Sequence, residues 1–248
     1  MTWREQGVER QTPLRNVFLF VGAEPETQWL RGFYREDTQF ASAYTLSPIS
    51  TLGLQPLDLP LAIGGVTRTA AAQWDAEWSE RLFTSLSYQH QTLDGISLDI
   101  PKLLGTFDTT DGVIDRVSAS ANVWIGGGFG AFGNVAWNWT EDQTPGTAPD
   151  QALPLVPDYL TQIGMTYVSP YRFKVTVAQS FVGERLASPL AGPLEPYTTT
   201  DAAFNWKSES GSLEFDLKLL NIFDNDFELA NFVPGPGRTI SGRLRARF

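Results

Sequence analysis

The stretch SLEFDLKL at residues 212–219 alternates without a break between polar and apolar side chains. Leucines and a phenylalanine occupy the odd positions, and Ser, Glu, Asp and Lys occupy the even ones. A period of two is that of a β-strand, whose successive side chains point to opposite faces, whereas an amphipathic helix repeats every 3.6 residues. The stretch therefore predicts a strand with one apolar and one polar face.

The same alternation recurs along most of the chain. It is clearest in TAAAQWDAEWS at 69–79 and RTISGRLRARF at 238–248. Weaker or softer versions predict strands at 14–21, 27–36, 81–91, 116–123, 134–139, 159–169, 173–178 and 197–206, with a further short one within 2–10. Together they predict an all-β, antiparallel fold of ten to twelve strands.

The predicted connections alternate strictly between short and long. Short links fall at 79–81, 125–130, 169–171 and 207–211, and long links at 38–68, 92–112, 141–158, 183–196 and 224–237. Outer-membrane barrels join their strands by short periplasmic turns and longer external loops, whereas such long loops at every second connection are uncommon in a soluble domain. Aromatic residues near the strand ends are typical of the membrane interface. The pattern therefore predicts a transmembrane β-barrel.

Composition excludes several classes of function. The 248 residues include no Cys and one His, which excludes disulfides, thiolate metal sites and a His-rich metal centre. The 28 acidic residues outnumber the 18 basic ones, giving a net charge of -10, which argues against nucleic-acid binding. Because no carboxylate pair or phosphate-loop spacing singles out a catalytic centre, we expect neither enzyme activity nor a cofactor.

Three local patterns have a structural interpretation that outweighs a functional one. Asp224, Asp226 and Glu228 have a calcium-like spacing but lack the Gly and bidentate Glu of an EF-hand loop, so we expect no metal site. The glycine run at 126–130 lacks phosphate-loop spacing and predicts a flexible turn. His90 precedes a long link and is interpreted as an interface histidine rather than a ligand contact.

The polar face of the last two predicted strands carries a ladder of charges. Residues of one parity share a face, and opposite charges stabilise cross-strand pairs. The members are Glu214, Asp216 and Lys218 on one strand and Arg243, Arg245 and Arg247 on its neighbour. In a barrel this face lines the lumen, and we interpret the ladder as holding the wall together rather than as a path for a ligand.

The C-terminal third carries an ordered series of short motifs. They are Leu155-Val156-Pro157, Tyr167, Phe181-Val182-Gly183-Glu184-Arg185, Tyr197 with Asp201, Leu220-Asn221-Ile222-Phe223-Asp224-Asn225, Pro236-Gly237-Arg238 and the terminal Phe248. In this order they resemble the closing strands of TonB-dependent outer-membrane receptors, with Asn221, Phe223, Asp224, Pro236, Gly237 and Arg238 as the family motif. Residues 68–140 match the family only in the style of their hairpins, and residues 1–67 carry no matching motif.

The resemblance implies a fold and a function. Residues 1–248 would form the C-terminal part, about half, of a 22-stranded barrel in the bacterial outer membrane, without the family's signal peptide, TonB box and plug domain. The implied function is energised uptake of a scarce ligand. A ferric siderophore is the favoured ligand, and cobalamin or a glycan is the alternative. The resemblance also implies that this chain alone is not competent for uptake. The implied partners are outer-membrane lipid, the TonB complex acting through a plug, and the barrel-assembly machinery, which would recognise Phe248.

Two alternatives remain open from the sequence. The first is a complete small barrel, porin-like or structural, closed from ten or twelve strands. The second is a soluble secreted β-domain that binds or hydrolyses carbohydrate.

Overall fold

The computed structural model describes residues 2–5, 8–11, 16–22, 28–38, 66–99, 106–188 and 192–247. Its strands, in chain order, are β1 (Thr2–Glu5), β2 (Val8–Gln11), β3 (Asn16–Gly22), β4 (Gln28–Thr38), β5 (Val66–Ser79), β6 (Leu82–Asp99), β7 (Thr106–Gly126), β8 (Phe129–Asp142), β9 (Tyr159–Val168), β10 (Phe173–Val182), β11 (Arg185–Ser188), β12 (Gly192–Leu194), β13 (Tyr197–Lys207), β14 (Leu213–Leu220), β15 (Glu228–Ala230), β16 (Val233–Pro234) and β17 (Thr239–Ala246). Eleven of them, β3 to β10 with β13, β14 and β17, form one antiparallel sheet, here called the main sheet. The remaining strands form the separate hairpins β1–β2, β11–β12 and β15–β16.

The alternating stretches become the strands of the main sheet, except the one predicted within 2–10, which becomes the separate hairpin β1–β2. The all-β, antiparallel prediction is confirmed. The SLEFDLKL stretch forms β14, with Leu217 opposite Gly242 of β17. The glycine run forms the β7–β8 turn, in which the φ angles of Gly126, Gly127 and Gly128 are 105°, 62° and 89°. A Cβ on Gly128 would clash with a backbone carbonyl of the neighbouring hairpin, so this turn requires glycine.

One predicted connection is wrong, namely the long link at 92–112. Strands β6 and β7 continue through most of it and remain paired as far as Asp99 and Thr106. The paired parts of the segment contain Thr, Ile and Phe, residue types that favour strands. Because β5 ends opposite Asp94 and β8 ends opposite Gly112, the continuation forms a two-stranded arm beyond its neighbours.

The two faces of the main sheet differ in polarity. On β8, Trp137 and Trp139 are exposed on one face, here called the outer face, while Asn134 and Asn138 are buried on the opposite, inner face. Over the described residues, 24 large apolar side chains are exposed and only 14 hydrophobic residues are buried. A soluble domain buries most of its large apolar side chains. An exposed apolar face is instead what a lipid-facing wall requires.

Aromatic rings border this apolar face at both ends of the strands. At the end with the short turns they form a row across five strands, with ring centroids 4.6 to 6.2 Å apart. The row consists of Phe129, Tyr167, Phe173, Phe204 and Phe215. The opposite end carries Tyr34, Tyr88, Trp137, Trp139 and Tyr159, all exposed. The two borders match the aromatic girdles of membrane barrels.

The main sheet is open. Among the described residues, β3 and β17 each pair with a strand on one side only. An open sheet of eleven strands agrees with the prediction of a partial barrel. The described residues contain no helix long and apolar enough to cross a membrane.

Candidate functional site

The inner face presents a layer of hydrogen-bonding side chains. The hydroxyls of Thr166 and Thr176 lie 3.0 Å apart across β9 and β10, and those of Ser87 and Ser118 lie 2.6 Å apart across β6 and β7. Other buried polar residues of this face are Arg116, Asn134, Asn138, Gln162, Thr199 and Asp201. Such a surface suits water or a polar ligand and is unsuited to lipid.

Two ion pairs of the charge ladder form on this face. Arg243 donates to Asp216 Oδ2 from Nε at 3.0 Å and from Nη2 at 2.7 Å. Asn205 Nδ2 donates to the other oxygen of the same carboxylate at 2.6 Å. Arg245 Nη1 lies 3.2 Å from Glu214 Oε2. These contacts join β13, β14 and β17 at the edge of the sheet.

Lys218 and Arg247, the other two ladder residues, do not belong to these pairs. In an antiparallel register one residue number rises as its partner's falls, so Lys218 lies opposite Ser241 rather than an arginine. Arg247 follows the last paired residue, and its backbone N–H donates to the carbonyl of Ser212 at 2.8 Å. The structure therefore places Lys218 and Arg247 at opposite ends of the ladder.

Three long connections, described over 143–158, 183–188 with 192–196, and 221–238, fold together at one end of the inner face, and we call these residues the loop layer. Leu155, Ala187, Leu194 and Ala230 form one buried cluster that joins all three connections. A second cluster packs Leu153 and Val156 against Ile114 of β7. The loop layer is thus a packed structure resting on the wall.

Arg116 connects the wall to the first of these connections. Its Nε donates to Asn138 Oδ1 at 2.6 Å, and Asn138 Nδ2 donates to the carbonyl of Pro157 at 2.6 Å. Both polar side chains are buried, so their hydrogen bonds also compensate for lost hydration. These two hydrogen bonds hold the end of the first connection, between β8 and β9, against the wall.

Arg185 connects the second and third connections. Its side chain is 2 % exposed and donates to the backbone carbonyl of Glu228. Its guanidinium lies 5.0 Å from the ring centroid of Tyr197, and that ring stacks on Phe227 at 4.0 Å and 11°. Burial lowers the pKa of Arg185, while the nearby Tyr197 and Glu228 partly offset this effect. The positive charge of Arg185 therefore lies between the carbonyl of Glu228 and the face of the Tyr197 ring.

Asn221 begins the third connection and fixes its base. Its Nδ2 donates to the carbonyls of Asn225 at 2.9 Å and Pro236 at 3.2 Å, and its Oδ1 accepts the N–H of Asn225 at 3.0 Å. Its own N–H donates to Asp201 Oδ1 at 2.8 Å. The residue adopts a φ of 48°, a left-handed conformation that Asn tolerates better than most residues.

The remaining motif residues complete this base, here called the loop clamp (Asn221, Asp224, Pro236, Gly237 and Arg238). Asp224 Oδ1 accepts the N–H of Arg238 at 2.6 Å. A Cβ on Gly237 would lie 3.0 Å from the same oxygen, so the close approach favours glycine. Phe223, by contrast, is 69 % exposed and takes no part in the clamp. The family motif thus joins the two ends of one loop.

Other residues singled out by sequence do not join this site. His90 lies on the outer face, with Nδ1 2.9 Å from Asp115 Oδ1, and Tyr88 donates to the same oxygen at 2.5 Å. Over the described residues no cluster of three or more His, Cys, Asp or Glu is arranged to hold a metal ion. Phe248 lies outside the described residues.

Sequence reasoning did not identify Arg116, Asn138 or Phe227 as residues of the site. The polar parity of β7 and β8 places Arg116 and Asn138 on the inner face, but no local pattern shows that a distant loop covers them. Phe227 stands in a loop without periodicity. Arg185 and Tyr197 were found only through the family resemblance.

Neither a protein-family model nor a curated protein sequence matches the chain. Solved structures do match. The copper transporter OprC is 16 % identical, with a TM-score of 0.66 over 94 % of this chain and 39 % of its own. The siderophore receptor PiuA from Acinetobacter baumannii is 10 % identical, with a TM-score of 0.60 over 93 % of this chain and 35 % of its own. The ferric-catecholate import receptor Fiu from Escherichia coli K12 is 14 % identical, with a TM-score of 0.60 over 94 % and 34 %.

The fold is that of a TonB-dependent receptor barrel. The chain spans between about a third and two fifths of the length of these structures, as a partial barrel wall does. At such low identity the likeness shows the TonB-dependent receptor fold and leaves the ligand open. The prediction of this barrel type from the motifs of the C-terminal third is confirmed.

Proposed function

We propose that the chain forms part of the wall of an outer-membrane receptor that takes up a scarce ligand, a ferric siderophore in the first instance. The main support for this function is that the outer face is apolar and bordered by aromatic rings, while the inner face is polar. The similar structures include siderophore, ferric-catecholate and copper transport proteins, which supports this class of ligand. Wall and loops alone supply no energy, so uptake requires the TonB complex acting through a plug domain.

The proposed function determines which end of the wall faces the cell exterior and which faces the periplasm. Outer-membrane barrels place long loops outside the cell and short turns in the periplasm. The loop layer then faces the exterior, where it would capture the ligand, and the short turns face the periplasm. The inner face lines the path between them.

Strand count supports a wall completed by further strands. Antiparallel neighbours alternate in direction, so in a sheet of eleven strands β3 and β17 run the same way. Closing this sheet on itself would require a parallel pair, whereas an odd number of additional strands closes it with antiparallel pairs only. Eleven more strands would give the 22-stranded barrel that the family resemblance implies, with residues 1–248 as its C-terminal part.

Cell fractionation tests the proposal. Expressed behind a signal peptide together with the strands that complete the barrel, the chain should sediment with outer membranes and resist extraction by urea, because its outer face is stable only against lipid and its two sheet edges are then paired. An endogenous porin and a periplasmic enzyme serve as the two markers. Recovery with the periplasmic enzyme would contradict the membrane assignment and favour a soluble β-domain.

A further inference from the structure

A cavity of about 430 Å³ opens at the short-turn end of the inner face, far from the loop layer. It lies between the β9–β10 turn and the β13–β14 turn. Its lining includes Arg172, Lys174, Asn205, Lys207, Ser208 and Glu209. No step of the proposed ligand capture uses this cavity.

The lining and its rim carry an excess of positive charge. Each nearby carboxylate already has an arginine partner, since Glu209 pairs with Arg172 at 3.3 Å, and Asp216 and Glu214 pair with the ladder arginines. Lys174 and Lys207 form no ion pair within the described part of the chain, although Glu214, the partner of Arg245, lies directly opposite Lys207 on β14. The two lysines therefore give the cavity wall a net positive charge, although the whole chain has a net charge of -10.

The register brings the two lysines together. Lys174 lies directly opposite Asn205 on the inner face, and Lys207 follows Asn205 by two residues on the same face. Such diagonal neighbours lie roughly 7–8 Å apart. Both ammonium groups can therefore reach one small molecule that carries two negative charges. The serine hydroxyl of Ser208 adds a neutral hydrogen-bonding group to the same cavity.

We infer that this cavity is a binding site for a small polyanion bearing two or more carboxylate or phosphate groups, held by Lys174 and Lys207. Two cations without carboxylate partners in a concave wall favour an anion over a neutral or cationic solute. Its location at the periplasmic mouth rests on the proposed function, where the site would meet an anionic cargo as it leaves the lumen. The binding chemistry does not depend on that location.

Isothermal titration of the full chain, folded in detergent micelles at low ionic strength, tests the inference. Citrate and pyrophosphate are the polyanion probes, and acetate is the monovalent control. We expect both polyanions to bind, acetate not to bind measurably, and binding to weaken as salt is added. The double variant Lys174→Gln/Lys207→Gln should lose affinity for both by about tenfold or more.

Two further variants distinguish binding in this cavity from attraction by the overall positive charge of the inner face. Lys174→Arg/Lys207→Arg keeps both charges and should bind within about threefold of the parent chain, which also controls for folding. Lys218→Gln removes one charge from the same face outside the cavity and should have little effect. Equal loss in the Lys218→Gln variant, unchanged binding in the double Gln variant, or no binding of either polyanion at about 1 mM would overturn the inference. Because the assay needs no membrane, these failures are distinct from a failure of the fractionation test.

Discussion

Replacing Asn221 by Ala should open the base of the third long loop. The change removes two donated hydrogen bonds and one accepted bond, each of which contributes about 1 kcal/mol. It also places Ala at a φ of 48°, which costs a further 1 kcal/mol or so. We therefore expect the free energy of unfolding to fall by about 2–4 kcal/mol. Urea unfolding of the chain in lipid vesicles, followed by tryptophan fluorescence, measures this change.

The same variant should expose the loop to trypsin. Arg238 is a cleavage site whose N–H is held by Asp224, and the clamp keeps this backbone in place. Local opening raises the rate of cleavage in proportion to the open population. Cleavage after Arg238 should therefore accelerate in Asn221→Ala, while cleavage at Arg81 in the distant β5–β6 turn should not.

Two controls test the reasoning. Asn221→Gly removes the same side-chain bonds without the conformational cost, so it should lose about 1 kcal/mol less than Asn221→Ala. Phe223→Ala alters the same sequence motif at a residue that is 69 % exposed and should change stability little. If Phe223→Ala destabilised the chain as much as Asn221→Ala, the clamp would not be the role of this motif.

Three further outcomes follow from the two faces and the orientation. Leu217→Arg, on the outer face near mid-strand, should lower the free energy of unfolding of the membrane-inserted wall by about 2–4 kcal/mol. The adjacent inner-face change Lys218→Gln should have little effect. An equal loss of stability in the two variants, measured by unfolding in vesicles, would indicate a soluble sandwich. The chain has no cysteine, so on whole cells a membrane-impermeant maleimide should label Ala148→Cys in a long loop and not Ser210→Cys in a short turn, and the reverse pattern would invert the orientation. Deleting Phe248 should lower the amount of assembled protein, measured by outer-membrane immunoblot, without changing the urea midpoint of what assembles; a shifted midpoint would assign Phe248 to stability instead.

The strands could be predicted from the sequence because their pattern is local. In β14 the alternation places Leu213, Phe215, Leu217 and Leu219 on the outer face and the intervening charges on the inner face, so this short stretch contains the whole signal. The register of β14 with β17 then determines that Asp216 meets Arg243 and that Lys218 meets a serine. Alternation alone cannot give that offset, so the sequence could not show which charges of the ladder meet across the two strands.

The loop layer could not be predicted because its contacts join distant segments without periodicity. Arg185 and the carbonyl of Glu228 are 43 residues apart, and Asn138 of the wall and the carbonyl of Pro157 are separated by 19. The arm formed by β6 and β7 was missed for another reason. Its glycine and aspartates are typical of a loop, yet its Thr, Ile and Phe residues extend the two strands once β6 and β7 are paired within the main sheet.

The loop clamp explains why the sequence reveals the barrel type and not the ligand. Asn221 and Asp224 stand at the start of the third loop, and Pro236 and Arg238 stand at its end, so the clamp acts only on the two ends. Of the residues between, Asn225 makes its bond to Asn221 through its backbone, which any side chain other than proline allows. Exposed positions such as Asp226 and Phe232 have no role in closing the loop. A change of ligand-contacting side chains between the clamp's ends therefore leaves the clamp intact, and the recognisable motif reports how the loop is attached rather than what the loop binds.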